Sequence, residues 1–198
     1  MNLGFLASHR GSNMQSIIDA CKGSSLAANP VVVISNNEES GALKRAQAEG
    51  IASYHISAKL LGDESKTDER IAAVLSQHDV DLVVLAGYMK RIGPQTLQAF
   101  NDRIVNIHPC LLPKYGGQGM YGMRVHEAVI AAGDRESGVT IHLVNDEYDR
   151  GAILAQEKVE VLESDTAQSL AERVLTLEHS LYVDTLSRII SGEIDLPV

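Results

Sequence analysis

Two polar residues at the end of an apolar run, Asn106 and His108, are the first candidates for chemistry. The apolar character of 103–107 (RIVNI) predicts a buried strand, and Pro109 ends it because proline has no N–H for a sheet ladder. Residues two apart on a strand project to the same side. An amide that can donate to a developing oxyanion would then lie beside an imidazole that moves protons near neutral pH. Taken alone, however, the two residues are better explained without catalysis, with Asn106 capping a turn and His108 as a structural histidine of the loop.

A second candidate is the turn-rich stretch 8–13 (SHRGSN), which separates an apolar run at 3–7 from an amphipathic helix at 14–21. A strand, a glycine turn and a helix leave free backbone N–H groups that can face an anion. The serine and asparagine after the glycine could cap the helix or donate to phosphate oxygens. Because the full dinucleotide and P-loop fingerprints are absent, an ordinary capped helix explains the stretch equally well.

The acidic turn at 145–151 (NDEYDRG) supplies three carboxylates, Asp146, Glu147 and Asp149. A carboxylate beside an imidazole can hold it in one tautomer or share a proton with it. Spacing alone does not choose among the three, and solvated turn residues are the preferred interpretation of the first two. His142, on the strand before this turn, is a candidate second imidazole, although a structural role is favoured.

Composition and charge restrict the class of protein. The chain has 198 residues, which predicts one domain over 1–198, and its net charge of −9 argues against nucleic acid or an anionic membrane as the main partner. Two cysteines, Cys21 and Cys110, predict neither a disulfide framework nor a metal site, and Cys110 suits packing better than nucleophilic chemistry. Without a signal-peptide pattern or a long apolar segment, we expect a cytoplasmic protein.

The order of the elements predicts an α/β fold. Near-continuous apolar strands alternating with helices indicate a three-layer, open, mostly parallel sheet of Rossmann-like type with its strand ends at one edge. Strands are predicted at 3–7, 30–35, 52–56, 81–86 and 103–107, and helices at 14–21, 41–49, 65–78, 94–100 and 124–132. Strands at 138–144 and 152–161 are predicted to form an antiparallel pair, and Ser164 or Asp165 is predicted to cap a final helix that ends near 190. The glycine-rich stretch 114–122 is predicted to be a loop or lid over the site.

Five motifs together resemble the glycinamide ribonucleotide formyltransferase family, a folate-dependent group of purine synthesis. They are GSN at 11–13, LAGYM at 85–89, NIHPCLLP at 106–113, GVTIHLVNDEYDRG at 138–151 and LEH at 177–179. Their order along the chain is that of the family, and they span nearly all of it. The resemblance implies formyl transfer from 10-formyltetrahydrofolate to the amine of glycinamide ribonucleotide, without a metal.

The resemblance also implies a role for each matching residue. The catalytic residues would be Asn106, His108 and Asp149, and the substrate phosphate would lie at Gly11, Ser12 and Asn13, with Glu178 on the ribonucleotide. The formyl-folate pocket would be lined by Tyr88, Met89, Lys90, Arg91, Ile92, Asn145, Asp146, Glu147 and Tyr148. The Leu112–Pro113 bond would be cis.

Two departures from the family pattern affect the folate site. An arginine that the family uses at its folate site has no counterpart here, since Glu64 falls near its place and Lys66 is the nearest substitute. The 114–122 loop is also longer and richer in glycine than the family version. Alternatives are a formyltetrahydrofolate hydrolase, a formyltransferase for another amino-sugar phosphate, or a Rossmann-type nucleotide-binding module. Related hydrolases carry an extra N-terminal domain and related tRNA formyltransferases a C-terminal one, which we do not expect here. We expect a monomer or homodimer.

Overall fold

Seven strands form one sheet in the computed structural model, which describes residues 1–197. The strands are β1 Asn2–Leu6, β2 Asn29–Ser35, β3 Ala52–His55, β4 Leu82–Leu85, β5 Ile104–His108, β6 Glu136–Leu143 and β7 Ile153–Glu160. The helices are α1 Ser12–Lys22, α2 Gly41–Ala48, α3 Ala58–Leu61, α4 Glu64–Gln77, α5 Pro94–Ala99, α6 Met123–Ala131 and α7 Ala167–Ile190.

The strand order, β3-β2-β1-β4-β5-β6-β7, places a topological switch between β1 and β4. Strands β1 to β5 are mutually parallel, whereas β6 runs antiparallel to both of its neighbours. In open α/β sheets, ligands bind beyond the carboxyl ends of strands at such a switch. The residues that follow β1 and β4 are therefore placed to line a ligand site.

Two apolar cores cover the two faces of the sheet. Leu3, Phe5 and Val84 pack with residues of α1, α2, α6 and α7 on one face. Leu6 and Val83, which alternate with these along their strands, pack with α4 and the end of α5 on the other face. This arrangement confirms the predicted three-layer α/β fold, with the predicted antiparallel pair at its C-terminal end.

The differences from the predicted elements are one additional short helix and shifts of one or two residues at the ends of helices and strands. The single-turn helix α3 was not predicted; Ser57 caps it by accepting from the Leu60 N–H. The predicted capping residue of α7 was wrong by one or two positions, because the N-cap is Thr166, which forms a capping box with Ser169. Asp165 instead accepts from the Leu162 N–H and the Ser169 hydroxyl. Within 1–197, no helix is both long and apolar enough to cross a membrane.

Candidate active site

The antiparallel pairing of β5 with β6 brings the first candidate residues together. Asn106 lies opposite His142, and His108 lies opposite Thr140. Opposed residues on neighbouring strands project to the same face, so one amide and two imidazoles share it. Ile107, between the first two candidates, projects to the other face and packs in the core. The predicted pairing of Asn106 with His108 therefore acquires a third member from β6.

His142 holds the Asn106 amide. The His142 Nδ1–H donates to the carbonyl of Leu143 at 2.8 Å, which leaves Nε2 free to accept. Nε2 lies 3.1 Å from the Asn106 Nδ2 atom and 3.6 Å from the Asp149 Oδ1 atom. Since an amide nitrogen carries two hydrogens, one N–H of Asn106 can bond His142 while the other faces the cavity. His142 therefore fixes which end of the Asn106 amide is available as a donor.

His108 is buried between a carbonyl and a carboxylate. Its Nε2–H donates to the carbonyl of Tyr115 at 2.9 Å, and its Nδ1 atom lies 3.6 Å from Asp149 Oδ2. Burial lowers the pKa of His108, outweighing the nearby Asp149 carboxylate and the Tyr115 carbonyl, which raise it. The ring is therefore favoured in its neutral form in the free protein.

Asp149 faces both imidazoles from the loop between β6 and β7. Its backbone is left-handed, with φ 55°, and its Oδ2 atom accepts from the Gly117 N–H at 2.8 Å. Burial alone would raise the pKa of Asp149, but the neighbouring imidazoles of His142 and His108 and the Gly117 N–H together lower it. The carboxylate is thus charged at neutral pH and placed to stabilise an imidazolium.

These residues lie in the wall of a cavity of about 510 Å³. The start of α1, the β4–α5 segment, the 117–122 loop, the β6–β7 loop and α7 contribute the rest of the wall. The predicted residues in the wall are Asn13, Tyr88, Met89, Lys90, Arg91, Ile92, Asn106, His108, Asn145, Asp146, Glu147, Tyr148, Asp149 and Glu178. The predicted loop or lid at 114–122 thus borders the site.

One end of the cavity, the α1 end, is formed by the start of α1 and by Glu178 on α7. Asn13 donates from Nδ2 to Glu178 Oε2 at 2.6 Å, and these residues are only 8% and 9% exposed. The Asn13 Oδ1 atom is buried with no partner in 1–197. Burial raises the pKa of Glu178, although the Asn13 hydrogen bond opposes this. Unpaired acceptors here would suit the hydroxyl or amine donors of a substrate.

The first turn of α1 offers backbone donors beside this polar pair. Gly11 is left-handed, with φ 70°, and a Cβ atom there would lie 2.9 Å from the backbone of Ala42, so only glycine fits. No side chain caps the helix, and its first N–H groups have no intrahelical acceptor. Gly11 and Ser12 are outside the cavity wall and adjoin it next to Asn13.

The opposite end, the loop end, consists of residues 88–92 and 145–148. Two of its large side chains are open to solvent, with Met89 41% and Tyr148 46% exposed, whereas Ile92 is buried. Arg91 donates to the carbonyl of Asp146, and its guanidinium lies 6.0 Å from the centre of the Tyr148 ring. At its base, the Met89 N–H donates to the buried hydroxyl of Ser8 at 2.7 Å.

Several other candidates lie outside the chemistry. Glu64 and Lys66, in the first turn of α4, are exposed and absent from the described cavity wall, so neither replaces the missing arginine in this conformation. The Cys110 thiol donates to the Lys114 carbonyl, and burial raises its pKa to about 12, consistent with the packing interpretation. The Leu112–Pro113 bond is cis, as the resemblance implied. In the part of the chain described, no cluster of three or more His, Cys, Asp or Glu residues could hold a metal.

Two contacts of the candidate site were not predicted from the sequence. His142 was a candidate second imidazole with a structural role favoured, and the structure places it in contact with both Asn106 and Asp149. The alternation of GVTIHLV, paired with NIH in antiparallel register, could have placed it opposite Asn106. The contact of the Tyr115 carbonyl with His108 could not have been found, because backbone carbonyls carry no sequence signal.

Comparisons with known proteins identify the family. A family model described as formyl transferase matches residues 1–186. A phosphoribosylglycinamide formyltransferase from Escherichia coli (strain K12) is 35% identical over 196 residues, covering 99% of this chain and 90% of the relative. This chain belongs to the phosphoribosylglycinamide formyltransferase family.

Plant and bacterial members differ in length from this chain. A chloroplastic phosphoribosylglycinamide formyltransferase from Arabidopsis thaliana is 43% identical over 188 residues, which is 94% of this chain but only 64% of that relative. A crystal structure of glycinamide ribonucleotide transformylase 1 from Symbiobacterium toebii superposes with a TM-score of 0.91 at 34% identity. It covers 97% of this chain and 88% of that one, so the formyltransferase architecture is shared nearly throughout.

Proposed function

We propose that this chain transfers the formyl group of 10-formyltetrahydrofolate to the primary amine of glycinamide ribonucleotide in de novo purine biosynthesis. The products are formylglycinamide ribonucleotide and tetrahydrofolate. The observation that carries this proposal is the meeting of Asn106, His108, His142 and Asp149 between two chemically different ends of one cavity. Membership of the family supports it.

The two ends of the cavity suit the two substrates. The free N–H groups at the start of α1, with Gly11, Ser12 and Asn13, would hold the phosphate of the ribonucleotide. Glu178 would accept from its polar groups. The loop end, with aromatic and aliphatic side chains at 88–92 and 145–148, would bind the flat pterin and its attached ring. The reacting amine and formyl carbon would then meet beside Asn106 and His108.

The catalytic residues would act on charge and on one proton. As the amine nitrogen bonds to the formyl carbon, the carbonyl oxygen becomes anionic, and the free N–H of Asn106 donates to it. His108 Nδ1 takes a proton from the attacking amine, and Asp149 stabilises the resulting imidazolium. His108 then returns the proton to the departing folate nitrogen as its bond to the formyl carbon breaks. Removing one oxyanion donor typically costs about 2.7–4 kcal/mol of barrier.

His108 enters the proposed reaction as a neutral ring. Because burial lowers its pKa, the ring begins neutral and becomes charged only while it holds the proton of the amine. A base that is neutral before reaction and charged during it suits proton transfer near neutral pH.

A direct test uses the purified chain with 10-formyltetrahydrofolate and, separately, glycinamide ribonucleotide, other amino-sugar phosphates or buffer alone. We expect tetrahydrofolate to appear together with a formylated ribonucleotide, detected by mass spectrometry. Equal tetrahydrofolate release without any amine would instead indicate a hydrolase, and preference for another amino-sugar phosphate would change the acceptor. Tight binding of NAD without folate binding would favour the nucleotide-binding module.

We propose that residues 1–198 form one formyltransferase domain that acts in the cytoplasm as a monomer or homodimer. The net charge of −9 supports small-molecule substrates rather than nucleic acid or an anionic membrane. The proposed steps use hydrogen bonds and proton transfer by the residues named above.

A further inference from the structure

We propose that Tyr115 and Asp134 are positioning residues for His108, linking a surface ion pair to the catalytic ring through the Tyr115 carbonyl. The proposal rests on the proposed function only for its kinetic test. We call Lys114, Tyr115 and Asp134 the loop anchor. None of the three was predicted to take part in the chemistry.

The first link is the hydrogen bond from His108 to Tyr115. The His108 Nε2–H donates to the Tyr115 carbonyl at 2.9 Å, so the proton of the neutral ring is held on Nε2. That leaves the Nδ1 lone pair toward Asp149 and the cavity, where the proposed proton transfer needs it. If the Tyr115 carbonyl turned away, the tautomer of His108 with its proton on Nδ1 would become the more stable one, because that proton would face the Asp149 carboxylate.

The second link is the conformation of Tyr115 itself. Its backbone is left-handed, with φ 55°, which a bulky residue adopts only when its surroundings enforce it. The direction of its carbonyl therefore depends on contacts that hold the residue in place. The next residue, Gly116, lets the backbone pass close to the Leu112 side chain, because a Cβ atom at this position would lie only 2.5 Å from it.

The third link fixes the Tyr115 side chain from outside. Its hydroxyl donates to Asp134 Oδ2 at 2.7 Å. Lys114 donates to both oxygens of the same carboxylate, at 2.7 and 2.6 Å, and its ammonium lies 5.1 Å from the centre of the Tyr115 ring. The Asp134 N–H in turn donates to the carbonyl of Val129, so the carboxylate is attached to the end of α6. Charge-assisted bonds of this kind hold geometry better than neutral ones.

The kinetic test replaces Tyr115 with phenylalanine, which keeps the ring and removes only the hydroxyl. We expect kcat for formyl transfer to fall roughly tenfold. In metal sites, removing a residue that orients a metal ligand lowers activity by about 10–100-fold, and the expected effect is at the low end of that range. The KM values for both substrates should stay within about twofold, because the side chains at the two cavity ends are unchanged. Asp134→Asn, which keeps an acceptor for the hydroxyl, should lower kcat less.

The tautomer of His108 is measured independently of activity, by ¹⁵N NMR of the imidazoles at a pH where the ring is neutral. We expect the Nε2–H tautomer in the unmodified chain and a mixture with the Nδ1–H tautomer in Tyr115→Phe. Tyr54→Phe is the matched control. Tyr54 lies on strand β3, and its hydroxyl is bonded to the Nε2 atom of another histidine, His78, at 3.0 Å. This control should change neither kcat nor the His108 spectrum.

The possible outcomes separate the two proposals. Unchanged kcat and an unchanged His108 tautomer in both Tyr115→Phe and Asp134→Asn would overturn the positioning role. A lower kcat with an unchanged tautomer would also overturn it, because the loss would then reach the reaction by another route. If the unmodified chain transfers no formyl group, the proposed function fails, and the NMR comparison alone still decides the role of the loop anchor.

Discussion

The α1 end and the loop end of the cavity differ in how firmly their residues are held. Asn13 and Glu178 are more than nine-tenths buried and bonded to each other, whereas Met89 and Tyr148 are nearly half exposed. A buried polar pair loses much when either partner changes, since the other is left unsatisfied. Exposed side chains lose less, because water replaces their contacts. We infer that the α1 end selects its ligand through fixed polar groups and that the loop end adapts to its ligand.

The largest expected effect falls between the two ends, at Asp149. Asp149→Asn removes the charge that we propose stabilises the His108 imidazolium, so we expect kcat to fall by about 10²–10⁴-fold, the range attributed to general acid–base catalysis. Steady-state kinetics, with folding checked by circular dichroism, would measure this. Asp102→Asn is a matched control, because Asp102 is also left-handed, with φ 54°, and lies outside the cavity wall described. Near-normal turnover of Asp149→Asn would remove the carboxylate from the mechanism.

At the α1 end, Glu178→Gln should weaken use of the ribonucleotide. The amide replaces one of the two carboxylate oxygens, an acceptor, with a donor and disturbs the bond with Asn13. We therefore expect kcat/KM for the ribonucleotide to fall by about 10–100-fold. This corresponds to the loss of a hydrogen bond to a charged group, which contributes about 1.5–3 kcal/mol. The KM for formyl-folate should hardly change. Glu172→Gln, exposed on the same helix, is the control. An equal loss for both substrates would mean that the two ends are not separate.

At the loop end, Arg91→Ala should have a smaller effect. The guanidinium is exposed, bonds a backbone carbonyl and lies over the Tyr148 ring. An exposed cation–aromatic contact contributes about 0.5–1 kcal/mol, so we expect KM for formyl-folate to rise by only about 2–5-fold. The ribonucleotide KM and kcat should be nearly unchanged. Arg103→Ala, which removes a guanidinium lying over Phe100, serves as the control. A loss as large as that of Glu178→Gln would contradict the contrast between the ends.

The smallest effect concerns stability and its pH dependence. A carboxyl whose pKa is raised on folding, as for Glu178, stabilises the fold fully below its ordinary value of 4.5 and loses that contribution as the pH rises through the raised value. Glu178→Gln removes the buried charge and keeps one oxygen that can accept from Asn13, so it should melt at a higher temperature than the unmodified chain at pH 8. The difference should shrink as the pH falls toward 4.5. Thermal melts across this range measure it, and a difference independent of pH would contradict the burial argument.

The sequence predicted most of the fold because its signals are local. Apolar runs such as 81–86 and alternation such as GVTIHLV locate strands, and strand–helix alternation indicates the parallel sheet. Helix α3 was missed since a single capped turn carries no periodicity. The predicted α7 cap was wrong because Ser164, Asp165 and Thr166 are all good capping residues, and only the capping box with Ser169 selects among them.

The candidate site was predicted less completely, because its contacts depend on distant parts of the chain. The spacing of Asn106 and His108 within one strand predicts that they face together, and the structure places them so. Three acidic residues were equally possible from spacing, and the structure places Asp149 between the two imidazoles. The contact between Asn106 and His142 spans 36 residues and depends on the β5–β6 register, which the sequence does not show directly.

The most direct test of the central claim is a double-mutant cycle on kcat with Asn106→Ala, His108→Ala and the combined variant. If Asn106 stabilises the developing oxyanion while His108 takes the proton of the attacking amine in the same step, each single change should lower kcat for formyl transfer by about 10²–10³-fold. The combined variant should then lose much less than the product of the two, because residues that act as a unit are not additive. Near-normal turnover in either single variant, or fully multiplicative losses, would contradict the account.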